Sequence, residues 1–132
     1  MSHDCHRNSD LATSILLVDD DPAVLDATRA MLDDLGFEVH ACLGGAAALE
    51  VIKDASVRID ALVSDVVMPG LDGLALTDLI EVLRPGTPTI LMSGYPFDGL
   101  AAKHRQVAVH FLRKPFRIVE LIEALDQACP TR

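Results

Sequence analysis

Five short apolar runs divide this chain, and each is followed by a segment with the spacing of an amphipathic helix. The runs have the length and β-branched content of strands that are buried on both faces of a sheet. Strands that alternate with helices form βα units, a parallel sheet and right-handed crossovers. The pattern therefore predicts an α/β domain with strands at 15–18, 37–42, 60–64, 89–92 and 107–112.

Polar and turn-forming residues mark where the predicted helices begin and end. Asp21 before Pro22 is typical of an N-cap at the start of the first helix, and Gly36 ends that helix. Gly44 and Gly45 predict a loop before the second helix. The third helix ends before residue 85, a short fourth helix is expected at 97–105, and a fifth follows the last strand.

Composition limits the class of protein. At 132 residues, half of them hydrophobic, the chain forms one domain, which we place at residues 14–132 after a flexible tail at 1–13. No apolar run is long enough to cross a membrane, and residues 1–14 lack a signal sequence. The net charge of −9 disfavours nucleic-acid or anionic-membrane partners. Three widely spaced cysteines favour the reducing cytoplasm over a disulfide framework.

Chemically active side chains follow four of the predicted strands. In an open α/β sheet the site lies beyond the carboxyl ends of the strands, near the switch in strand order. Those ends carry Asp19, Asp20, Asp65, Ser93 and Lys114. Clustered carboxylates repel one another unless a cation joins them, and all-oxygen ligation suits Mg²⁺. A carboxylate is also a covalent nucleophile towards phosphorus, whose transfer depends on positioning and charge neutralisation.

Four motifs at these strand ends resemble the receiver domain of two-component response regulators. They are ILLVDDDP at 15–22, SDVVMPGLDG at 64–73, LMSGYP at 91–96 and FLRKPF at 111–116. The resemblance covers residues 14–129 and implies a flavodoxin-like, doubly wound (βα)5 fold, with five parallel strands in the order 2-1-3-4-5. It also implies a phosphoacceptor signalling protein, not an enzyme with turnover.

The same resemblance assigns the site residues. Asp65 is the implied phosphoryl acceptor. The implied Mg²⁺ ligands are Asp20, Asp19 (mostly through water), Asp65 and the backbone carbonyl of Val67. Ser93, Lys114 and Phe111 are the implied switch and catalytic residues, and the bond before Pro115 is expected to be cis. Val67, Gly94 and Tyr95 occupy positions that modulate the site: Val67 offers nothing to orient water, Tyr95 is bulky, and Gly94 leaves room for a partner's histidine. Slow dephosphorylation is therefore expected.

The expected partners are a histidine kinase or a histidine phosphotransfer protein, and a downstream protein target. The signalling face is expected to be α4-β5-α5, the fourth predicted helix with the fifth strand and fifth helix. Residues 98–117 have five basic residues against one acidic residue, in an otherwise acidic chain. Because the chain ends just after the last helix, we expect a stand-alone receiver, or one separated from a hybrid kinase, that is a monomer or a weak dimer through that face.

Three other functions compete with this interpretation. An aspartyl-phosphate phosphatase of the haloacid-dehalogenase type places a second aspartate two residues after the nucleophile, where this chain has Val67. A flavodoxin-like nucleotide or flavin binder lacks support, since no G-x-G-x-x-G or P-loop motif is present. A pseudo-receiver would bind partners without phosphorylation; the complete acidic set argues against it.

Overall fold

The computed structural model describes residues 12–94 and 109–129. Within them the strands are β1 (Ser14–Asp19), β2 (Glu38–Leu43), β3 (Ala61–Asp65), β4 (Thr89–Ser93) and β5 (Val109–Arg113). The helices in the same ranges are α1 (Pro22–Asp34), α2 (Gly45–Lys53), α3 (Gly73–Leu83) and a C-terminal helix (Ile118–Ala128). None of these helices has the length and apolar character needed to cross a bilayer.

All neighbouring strands pair in parallel, in the order β2-β1-β3-β4-β5. The predicted doubly wound fold and its strand order are therefore confirmed. The chain reverses its direction of travel across the sheet between β1 and β3, which are direct neighbours. The carboxyl ends of these two strands, Asp19 and Asp65, consequently face the crevice at the switch point.

Each face of the sheet has its own hydrophobic core. Alternate residues of β1 divide between them, with Ile15 and Leu17 in one core and Leu16 and Val18 in the other. The first core includes residues of α1 and the C-terminal helix, and the second includes residues of α2 and α3. Burial on both faces explains why β1 is a continuous apolar run with no polar alternation.

Two aspartates cap helices beside the site. Asp21 accepts hydrogen bonds from the backbone amides of Ala23 and Val24, as expected of the N-cap of α1. Asp72 accepts from the amide of Ala75 at the start of α3. The second helix differs from the sequence prediction, because Gly45 is its first residue and not part of the preceding loop. A close contact with Leu71 fixes the position of Gly45 at the start of the helix.

Arg84 joins the C-terminal ends of α2 and α3. Its guanidinium donates hydrogen bonds to four backbone carbonyls, those of Ile52 (3.0 Å), Val57 (2.6 Å), Val51 (3.4 Å) and Asp54 (2.6 Å). The carbonyls of Val51 and Ile52 belong to the last turn of α2, where carbonyls lack the regular intrahelical partner; that of Val51 also accepts the amide of Asp54 at 3.1 Å. Arg84, the residue after α3, thus caps a helix about thirty positions away.

Several expectations lie outside the described residues. They concern Tyr95, the fourth helix at 97–105, and most of the N-terminal tail. At the edge of the described part Thr13 is buried, and its carbonyl accepts a hydrogen bond from the amide of Glu38 at 2.9 Å. Thr13, one residue before β1, therefore packs against the start of β2.

Candidate functional site

The parallel register brings the predicted site residues to one edge of the sheet. β1 ends at Asp19, β3 at Asp65 and β4 at Ser93. Ser93 pairs with Arg113 at the end of β5, and the amide of Lys114 donates to the Ser93 carbonyl at 2.8 Å. The Lys114 side chain therefore starts from a backbone position fixed against β4.

Three carboxylates converge at this edge. One oxygen from each of Asp19, Asp20 and Asp65 lies within 4.8 Å of the other two. Asp19 and Asp65 are buried, with 2% and 7% exposure, whereas Asp20 is exposed to solvent. The cluster is thus closed towards the protein and open towards water, as a cation with part of its hydration shell requires.

An unsatisfied oxygen supports a cation at this cluster. Oδ1 of Asp19 accepts a hydrogen bond from the backbone amide of Asp21 at 3.0 Å. Oδ2 of Asp19 is buried and accepts no hydrogen bond from the described part of the chain. The Lys114 ammonium approaches this oxygen only at 3.6 Å, beyond hydrogen-bond distance, and a divalent cation would satisfy it more fully. The donor set, all carboxylate oxygen with one open side, fits Mg²⁺ better than the softer transition metals.

Lys114 supplies the positive charge of the cluster. Its ammonium nitrogen lies 2.6 Å from Oδ1 of Asp65 and 3.6 Å from Oδ2 of Asp19. Burial alone would lower the pKa of Lys114, but the two carboxylates together raise its pKa above the usual value. Lys114 is therefore a permanent cation at physiological pH, directed at Asp65.

Asp65 is the carboxylate whose acidity changes most. Burial raises the pKa of Asp65 from 3.8 to about 6; contact with Lys114 opposes the change, and Asp19 adds to it. Without a further cation the three carboxylates carry more negative charge than the single Lys114 ammonium can neutralise. A bound cation relieves this repulsion.

A cavity of about 160 Å³ opens beside Asp65. It is lined by Asp65, Val67, Met92, Ser93, Gly94 and Lys114. Five of these six residues are expected from the sequence, and Met92 is the one that was missed. Met92 pairs with Asp65 across β3 and β4, so its place follows from a register that the sequence does not display.

The other residues predicted for the site differ in where they lie relative to the cavity. Val67 is 59% exposed on the loop after β3, at the mouth of the cavity. Phe111 lies on β5 opposite Leu91 and is half-buried, but it does not line the cavity. The Lys114–Pro115 peptide bond is cis. Tyr95 lies beyond the described residues.

Comparison with known proteins gives a consistent result. The family model for the response regulator receiver domain matches residues 15–126. The chain is 34% identical over 117 residues to the sensor kinase CckA of Brucella abortus, covering 88% of this chain and 12% of that kinase. It thus spans about an eighth of that relative's length.

Solved structures of proteins with similar sequences share the fold. The receiver domain of the hybrid histidine kinase CckA superposes with a TM-score of 0.75 and 32% identity, covering 89% of this chain and 99% of that one. The response regulator TrrA of Thermotoga maritima, solved in complex with Mg²⁺-BeF, superposes with a TM-score of 0.76 and 26% identity. The match covers 88% of this chain and 98% of that one. Family match, fold and carboxylate cluster agree. The chain therefore belongs to the family of response regulator receiver domains.

Proposed function

We propose that Asp65 accepts a phosphoryl group from the phosphohistidine of a histidine kinase or a histidine phosphotransfer protein, in a Mg²⁺-dependent reaction. Receiver domains are phosphoacceptor modules of two-component signalling and interact with such proteins. The observation that carries the proposal is the position of Asp65: Lys114 Nζ is 2.6 Å away, and Ser93 lines the same cavity. A nucleophilic carboxylate, a fixed cation and a hydroxyl thus surround one space.

The residues that would hold Mg²⁺ are Asp19, Asp20, Asp65 and the backbone carbonyl of Val67. The ion supplies charge neutralisation for the carboxylates and for the phosphoryl oxygens. The three carboxylates and the unsatisfied Oδ2 of Asp19 support this assignment. The complex of the related regulator TrrA with Mg²⁺-BeF supports it independently.

The chemical step is a displacement at phosphorus. An oxygen of the Asp65 carboxylate forms a bond to phosphorus while the phosphorus–nitrogen bond of the phosphohistidine breaks. The imidazole nitrogen leaves with the bonding electron pair. Lys114 binds one phosphoryl oxygen, and the hydroxyl of Ser93 donates a hydrogen bond to another. The 160 Å³ cavity between them is large enough for one phosphoryl group.

Signalling would follow from a small two-state change. The phosphoryl group draws Ser93 inward, and Phe111 turns into the space that is released. The output face in this proposal consists of the predicted fourth helix, β5 and the C-terminal helix (α4-β5-α5), and it includes the basic excess of residues 98–117. It acts by protein contact. The protein is a monomer or a weak dimer through this face. Charge reversal at Lys103 and Arg105, which lie outside the described residues, should weaken partner binding or self-association; retention of both would contradict this face.

Two further properties belong to the proposal. The acyl phosphate should persist, because Val67 gives an attacking water no polar partner and Tyr95 is bulky enough to shield the phosphoryl group, while Gly94 leaves room for a donor histidine. The protein should act in the cytoplasm, since three cysteines at wide spacing argue against a disulfide framework.

Phosphorylation by a small phosphodonor such as phosphoramidate tests the central proposal. Intact mass spectrometry should show one added phosphoryl group on the wild type in Mg²⁺ and none in EDTA. Asp65→Asn should abolish it. Asp72→Asn is the matched control, because asparagine caps a helix as well as aspartate does and should leave labelling unchanged. Labelling that survives in Asp65→Asn would contradict the assignment, and an unlabelled wild type would favour the pseudo-receiver.

A further inference from the structure

The start of α2 makes an unusually close backbone contact with the loop after β3. Gly45, the first residue of α2, packs against Leu71. A Cβ atom at Gly45 would overlap the carbonyl oxygen of Leu71 and lie 2.9 Å from its carbonyl carbon and 2.9 Å from its Cβ atom. Only glycine permits this approach, which explains why a helix begins at a residue that favours loops.

The loop 66–72 is held equally closely at its other end. A Cβ atom at Gly73 would overlap the carbonyl oxygen of Asp65 and lie 3.0 Å from its carbonyl carbon. The Gly73 amide also donates to the carbonyl of Val66 at 3.0 Å. The segment that carries Val67 is therefore fixed against α2 at Leu71 and against Asp65 at Gly73.

The second helix has little freedom to move away from this loop. The amide of Gly44 donates to the carbonyl of Asp19 at 3.0 Å, which ties the helix start to the end of β1. Ala48 and Ile52 are buried in the second core, with 0% and 2% exposure, and Leu71 packs on the same core. An atom inserted between Gly45 and Leu71 must therefore displace the loop more than the helix.

We propose that Gly45 is a positioning residue for the metal site, although it lies outside both the carboxylate cluster and the cavity. The inference rests on the proposed function, in which Asp65 and the Val67 carbonyl bind Mg²⁺. Because carbon–oxygen contacts lie near 3.3 Å, a methyl group at residue 45 moves the loop by roughly 1 Å. Outer residues that orient metal ligands typically change metal affinity by about 10- to 100-fold when mutated.

The test compares Gly45→Ala with Ala47→Gly. Ala47 is an exposed residue of the same helix, and its replacement lowers helix stability without adding an atom near Leu71. Isothermal titration should show about tenfold weaker Mg²⁺ binding in Gly45→Ala and unchanged binding in Ala47→Gly. In the metal-free protein, backbone amide shifts of Asp65, Val66 and Val67 should change in Gly45→Ala beyond those in the control.

The possible outcomes separate the inference from the proposed function. Equal Mg²⁺ affinity in wild type and Gly45→Ala, with unchanged amide shifts, overturns the inference and leaves the proposed function intact. A wild type that binds no Mg²⁺ overturns both. If Gly45→Ala does not fold, Leu71→Ala replaces it, since it loosens the same loop by removing the packing of Leu71 on the second core. Weaker Mg²⁺ binding in Leu71→Ala then supports the inference, and wild-type binding overturns it.

Discussion

The ammonium nitrogen of Lys114 lies 2.6 Å from Oδ1 of Asp65 and 3.6 Å from Oδ2 of Asp19. Two of the three clustered carboxylates are therefore already paired with a protein cation. A divalent ion that binds these carboxylates is repelled by Lys114, because like charges a few ångströms apart in a partly buried site interact strongly. Lysine and metal would thus compete in the resting protein, although both would neutralise the phosphoryl group in the proposed reaction.

Replacing Lys114 with methionine should tighten Mg²⁺ binding and weaken phosphorylation. Removal of the competing charge is expected to raise Mg²⁺ affinity by about tenfold at a pH above the pKa of Asp65. Phosphoryl transfer should slow, because one phosphoryl oxygen loses its partner. Titration calorimetry and phosphoramidate labelling measure the two effects. Lys53→Met, at an exposed ion pair with Glu50, is the control. Weaker Mg²⁺ binding in Lys114→Met would contradict the competition.

The raised pKa of Asp65 predicts a dependence of stability on pH. Its folded-state value is about 6 against an ordinary 3.8, so the folded protein binds the proton more tightly than the unfolded chain. This contribution is fully present below the unfolded pKa and is lost as pH rises through about 6. In EDTA, the free energy of unfolding of the wild type should fall by about 1 kcal/mol, relative to that of Asp65→Asn, as pH rises from about 5 to about 8. Urea unfolding measures the difference, and a constant difference would show that burial leaves Asp65 unaffected.

Arg84 should contribute substantially to stability. Arg84→Met keeps the aliphatic stem but removes the guanidinium that donates to four carbonyls, of which those of Val51 and Asp54 also accept backbone amides. Because hydrogen bonds from a charged donor are strong, the free energy of unfolding should fall by about 3 kcal/mol. Arg29→Met is the matched control; the ion pairs of Arg29 with Asp26 and Asp33 are exposed, so the loss should stay below about 1 kcal/mol. Similar losses in the two variants would refute the role given to Arg84.

Val67 should control the lifetime of the phosphorylated state. Val67→Asn adds an amide beside the cavity that can orient an attacking water, so dephosphorylation should accelerate by about tenfold. Val82→Asn is the control, because Val82 is 76% exposed on α3. Decay of the phosphorylated protein after removal of the donor gives the rates. Loss of the wild-type label within a few seconds would be incompatible with the slow decay proposed.

Most of the fold follows from local sequence patterns. The ends of the predicted strands agree with the observed ends to within two residues, because a run such as Ile15 to Val18 can be buried only in a central strand. Asp21 caps α1 as expected from the proline that follows it. Gly45 was placed wrongly, because two consecutive glycines resemble a loop and its close neighbour, Leu71, is distant in sequence.

Most residues of the candidate site could be predicted from the sequence, but their pKa values could not. Parallel strands bring their carboxyl ends together in any doubly wound fold, which is why Asp19, Asp65 and Lys114 were expected to meet. The raised pKa of Asp65 depends on burial by the whole tertiary structure. The role of Arg84 is equally invisible in sequence, since nothing near residue 84 indicates which carbonyls it reaches.

The hydrogen bonds of Arg84 have a consequence for how a signal leaves the domain. They lock the far ends of α2 and α3 to each other, on the side of the sheet that holds the second core. This half of the molecule is therefore a stationary frame, in which amide hydrogen exchange should be slow before and after phosphorylation. Ser93 and Lys114 belong to β4 and the end of β5, outside that frame. If Asp65 accepts a phosphoryl group as proposed, the resulting structural change should be directed to the flank of the sheet that holds β4 and β5, with α2 and α3 as its fixed support.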